Sequence, residues 1–103
     1  MAQLIEIDDA KGCAPSLCVK VGDLLVFSAS GGRMNTSGSA LRYLGAFMRA
    51  VVGKNREVLE PMGLPNAVVF EVLQHGQAAI DVISGGPFGN TSTTTLLIIV
   101  RDQ

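Results

Sequence analysis

Short apolar runs with period-two alternation, each ended by a cluster of Gly, Pro, Asn or Ser, recur along the whole chain. Such alternation puts every second side chain on one face of an extended strand. Gln3–Ile7 reads as an edge strand with Leu4 or Ile5 turned inward. Leu17–Val21 sets Leu17, Val19 and Val21 on one face and Cys18 and Lys20 on the other. Gly22-Asp23 makes a tight corner into Leu24–Ala29. Val68–Leu73 then divides into Val68, Phe70 and Val72 against Val69, Glu71 and Leu73. A turn at 74–77 leads to Ala78–Ile83, where Ala78, Ile80 and Val82 repeat the inward set. Many short strands separated by turn residues predict an all-β chain, an immunoglobulin-like Greek-key β-sandwich of about seven to eight strands.

The middle admits two readings. Leu41, Leu44, Met48 and Val51 stand at helical spacing within Ser39–Val52, with Ser39 as a cap. As a strand, the same stretch puts Leu44, Ala46, Met48, Ala50 and Val52 on one side. Gly45 lowers helix propensity, and "VVGKNREVL" has the pattern of a hairpin turning at Gly53–Arg56, so the strand is favoured.

At 103 residues the chain has the usual size of one compact domain, taken as 1–103, with enough material for a core without staples. A net charge of −1 and the absence of a Lys/Arg cluster argue against nucleic acid as a partner. The longest apolar stretch, Leu96–Val100, is far short of a membrane span, so no membrane partner is expected. The N-terminal residues lack the basic start and long apolar region of a secretory signal, which makes a cytoplasmic location the expectation. Cys13 and Cys18 flank "APSL". A disulfide there must meet narrow geometric limits, and two free thiols are the plainer reading.

Little catalytic chemistry is on offer. "VKVGDLLVF" also opens copper-binding cupredoxin domains, but a blue-copper site needs two His, a Cys and usually a Met. His75 is the only histidine and both Cys lie near the start, so no metal and no cofactor is expected. His75 sits in a turn between two strands, where an exposed turn residue is more common than a catalytic base. Asp8-Asp9 reads as a solvated turn, and neither "SGGR" nor "SGGP" matches a phosphate-binding loop. The chain is not expected to be an enzyme.

Three connections are rich in Gly, Pro, Asn and small hydroxyls: Ser28–Ala40, Pro61–Ala67 and Ser84–Thr93. In an immunoglobulin-like sandwich they correspond to the B–C, D–E and F–G loops, which gather at one end. Neighbouring loops on a rigid scaffold are a common protein-binding edge. Small polar residues also make good turns whatever the function.

Over most of residues 17–101 the order of strands, corner and loops resembles the chagasin-type inhibitors of papain-like cysteine proteases. In that family the B–C loop carries Asn-Pro-Thr-Thr-Gly and an aromatic; Asn35, Thr36, Ser37 and Gly38 keep part of this, without the Pro, and Ser39 replaces the aromatic. The family's F–G loop carries Arg-Pro and an aromatic; here Pro87 and Phe88 remain and the arginine is missing. Its D–E loop is glycine-rich, whereas Pro61–Asn66 offers Gly63, with Pro65 and Asn66 beside it. The resemblance implies a protein partner, a cysteine protease, held by these three loops, with Phe88 as apolar anchor. A second expectation comes from Thr94–Val100, apolar on both faces. Leu96, Ile98 and Val100 fill one face, while Leu97 and Ile99 on the other point to a structural unit that self-associates as a homo-oligomer.

Overall fold

The computed structural model describes residues 2–7, 16–36, 38–59, 65–85 and 91–101. Among them ten strands and no helix form, so no helix is long and apolar enough to cross a membrane. The strands are β1 (Leu4–Ile7), β2 (Ser16–Lys20), β3 (Leu24–Phe27), β4 (Gly31–Met34), β5 (Leu41–Phe47), β6 (Val51–Val52), β7 (Val58–Leu59), β8 (Ala67–Val72), β9 (Gly76–Ser84) and β10 (Ser92–Arg101). One sheet has the order β1-β3-β8-β5 and the other β2-β10-β9-β4, with β6 and β7 as a separate ribbon. The two orders correspond to strands A-B-E-D facing C-F-G, with β2 as an added edge strand, which is the immunoglobulin-like sandwich. Eight strands build it.

The alternation supplies the core. Leu25, Phe27, Val68, Phe70 and Val72 of the first sheet meet Val19, Ala78, Ile80, Val82, Leu96, Ile98 and Val100 of the second, all buried. Phe70 sits at the centre, edge-on to Phe27 with ring centroids 5.9 Å apart and tilted against Tyr43 at 5.2 Å. Such aromatic pairs add about 1 kcal/mol beyond area burial. In β1, Ile5 and Ile7 turn inward, while Leu4 is exposed.

Ser39–Val52 is not helical; it contains β5 and β6. The face expected for it does not form, because a bulge between Tyr43 and Gly45 adds a residue to β5. Leu41, Tyr43 and Ala46 face the core, and Leu44 and Met48 are exposed. Gly45 takes φ +141°, a backbone region that a side chain disfavours. Val52 pairs with Val58, and Gly53–Arg56 turns the ribbon.

The Gly22-Asp23 corner carries the chain from one sheet to the other. Asp23 is buried, and its carboxylate accepts the amides of Gln3 (3.0 Å) and Lys20 (2.9 Å). Backbone bonds join Gly22 and Asp23 to Val72 of β8, so the corner ties β1, β2 and β8 to the start of β3.

One strand lay hidden inside the stretch read as a single loop from Ser28 to Ala40. β4 pairs antiparallel with β9, Gly31 opposite Ile83 and Met34 opposite Ile80. Glycine disfavours strands in general, but here it lets β4 lie close against the opposite sheet. A Cβ on Gly32 would stand 2.8 Å from Cγ1 of Val68 and 3.2 Å from the Phe70 ring. Gly32→Ala is therefore expected to cost about 1–3 kcal/mol of stability through overpacking. Urea unfolding measures it, and an unchanged midpoint would refute this packing.

Candidate functional site

Strand directions decide which connections share an end. β3 and β5 run toward the end where β8 starts, and β9 arrives there while β10 departs. The connections β3–β4, β7–β8 and β9–β10 therefore meet at that end. Ser28, Ala29, Ser30, Pro65, Asn66 and Gly85 of these connections, with Ser84 at the end of β9, line a recess of about 280 Å³. No charged side chain is among them.

Backbone and side-chain hydrogen bonds hold two parts of this rim, Ser28–Ser30 and Asn66. Three residues, Ser28–Ser30, carry the chain from the end of β3 to the start of β4, that is, from one sheet to the other. Ser28 donates its amide to Ile7, and Ser30 donates both its amide (3.0 Å) and its hydroxyl (3.1 Å) to the Ile83 carbonyl. Ala29 between them is buried, a small residue in a tight crossing. Asn66 donates its amide to Phe47, and its side-chain oxygen accepts the Arg49 amide at 2.8 Å. These two bonds close the base of the excursion that carries the ribbon.

Among the described residues, those that come together are Ser28–Ser30 of the first connection, Pro65 and Asn66 before β8, and Ser84 and Gly85 at the end of β9. Asn35, Thr36 and Gly38 do not belong to this group. β4 takes the chain away from the rim, so Asn35 and Thr36 bond to Ala79 in mid-strand. Ser39 and Ala40 reach the turn before β9, bonding Gln74 and Leu73 at the far end. Ala79 is five residues from Ser84, roughly 17 Å along the strand. Ser37, Gly63, Pro87 and Phe88 lie outside the described residues, as does Cys13. Cys18 is a free, exposed thiol on β2. Leu97, 38% exposed, and the half-buried Ile99 occupy the outer face of the second sheet, Ile99 beside Cys18.

The sequence reading missed Asp81. It points to the outer face of the second sheet, yet it is buried beneath its own partners. Its carboxylate accepts Arg33 Nε at 2.8 Å, Asn35 Nδ2 at 2.9 Å and the Thr95 hydroxyl at 2.7 Å. β4 and β10 are thereby pinned to the β9 between them. A lone carboxylate in "AAIDVIS", in the outward half of the alternation, was the available signal. Among the described residues no three His, Cys, Asp or Glu side chains come together as metal ligands.

No protein-family model matches the sequence, and no curated protein matches it. Solved structures do. A cysteine protease inhibitor from Entamoeba histolytica, EhICP2, aligns over 97% of this chain and 97% of its own, with TM-score 0.58 and 13% identity. Amebosin aligns over 98% of this chain and 99% of its own at TM-score 0.47 and 11% identity. A reduced Cu(I) form of an amicyanin mutant aligns over 97% and 82%, at TM-score 0.42 and 22% identity. The resemblance to chagasin-type inhibitors holds at the level of the fold.

The Thr95 hydroxyl and Asn35 amide hold the Asp81 carboxyl below the ordinary aspartate range. Burial opposes them, and the Arg33 hydrogen bond and charge assist. A carboxyl depressed in the folded state contributes stability that is present above its unfolded value and lost as pH falls through its folded one. Thermal unfolding from about pH 5 downward should therefore show a loss of stability below about pH 4 that Asp81→Asn does not share. Parallel curves for the two proteins would contradict it.

Proposed function

We propose that the chain is a non-enzymatic binding module that docks the rim at Ser28–Ser30, Pro65–Asn66 and Ser84–Gly85 into the cleft of a papain-type cysteine protease. The observation that carries this reading is the convergence of three connections, from both sheets, on one recess. The likeness to a cysteine protease inhibitor supports the scaffold. Hydroxyls, an amide side chain and backbone groups suit a neutral, hydrogen-bonding contact. The proposal also includes Gly63, next to Pro65 in sequence, and Pro87 and Phe88, which lie outside the described residues. Phe88 supplies the aromatic anchor that interfaces favour.

Papain is the direct probe. Inhibition is expected at micromolar protein, and Phe88→Ala should weaken it by about 2 kcal/mol, roughly thirtyfold in affinity, with the unfolding midpoint unchanged. No inhibition at that concentration removes the protease as partner, and an unchanged affinity removes Phe88.

A second reading has the exposure of Leu97 in its favour. A second copy stacking on Leu97 and Ile99 would make the module a homo-oligomer. Sedimentation should then show a dimer that Leu97→Asp abolishes, and a strict monomer at high concentration excludes it.

A further inference from the structure

Half of β4 is glycine, so little side-chain surface holds this edge strand. Gly32 contributes close backbone packing, Met34 is only partly buried, and Arg33 is 65% exposed along its side chain. Yet Ser28–Ser30 hangs between the end of β3 and the first residue of β4, so this part of the rim is placed by β4 together with its own bonds to Ile7 and Ile83. Asp81 meets the need to hold β4. It takes two of its three side-chain donors from β4 and the residue after it, Arg33 and Asn35, and the third from Thr95 on the far side of β9. The backbone ladder between β4 and β9 runs through the same residues, Arg33 standing opposite Asp81. Ser30 completes the line with two bonds to Ile83, two residues further along β9.

We propose that Asp81 is a positioning residue for the rim: by clasping Arg33 and Asn35 it fixes β4 on β9 and so sets Ser28–Ser30 for docking. This rests on the proposed function of the rim. Asp81 touches no partner itself and acts through β4.

Asp81→Asn tests it, because the amide keeps the size but turns one acceptor into a donor that faces other donors. Val19→Ala is the control, loosening the core from β2 at the opposite edge of the same sheet. Amide exchange in Asp81→Asn should speed up about tenfold at Ser30 and at β4, with β2, β3 and β8 unaffected. Inhibition of papain should weaken about tenfold, and in Val19→Ala it should not. Uniform acceleration across the chain overturns the inference, as does faster exchange with unchanged inhibition, or equal weakening in the control. If the natural sequence fails to inhibit papain, the proposed function falls. The exchange pattern then decides the clasp alone, unchanged protection at Ser30 overturning it. Should Asp81→Asn not fold, Arg33→Gln, at an exposed side chain, removes one arm of the clasp and is read by the same exchange and inhibition.

Discussion

Everything in this sandwich follows from the way the chain passes between its layers at Asp23. A strand that leaves one sheet for the other abandons its hydrogen-bonding neighbours, and the corner has to replace them. The buried carboxylate does so by accepting two backbone amides, one from β2 behind it and one from the segment leading into β1. Charge-assisted bonds of this kind contribute about 1.5–3 kcal/mol each. Gly22, at φ +95°, provides the sharp bend that no side-chain-bearing residue takes easily. With that corner set, β3 is aligned with β1 and β8 together, and Phe27 falls against Phe70.

The greater part of the scaffold was legible because burial on one face leaves a period-two record. Val68, Phe70 and Val72 or Ala78, Ile80 and Val82 admit no other register without exposing the core. Illegible parts share a physical cause, since each depends on a neighbour distant in sequence. β4 has no β-branched residue, and its place as a strand is decided by β9 and by the closeness of Val68. The bulge at Leu44 switches the inward set of β5 from Leu41 and Tyr43 to Ala46, which only pairing with β8 reveals.

The candidate rim shows the same division. That three connections gather at one end is a property of the topology and could be read once the strands were counted. Which residues of the first connection take part depended on β4. Asn35 and Thr36 carry the more suggestive motif, yet they serve as ties to β9, while the plainer Ser28-Ala29-Ser30 sits at the recess. Ser28-Ala29-Ser30 makes a tight crossing between the sheets, with Ala29 buried in it.

The bulge in β5 also bears on what the molecule avoids. β5 is an outermost strand of its sheet, seven residues long, with Leu44 and Phe47 exposed along it. A straight ribbon of that character is a template onto which foreign chains can add, the first step toward fibrils. The extra residue, Leu44, which has no partner on β8, breaks the even spacing of amides and carbonyls, and such bulges increase the local twist of a strand. A single additional residue thus makes this border a poorer template for runaway polymerisation.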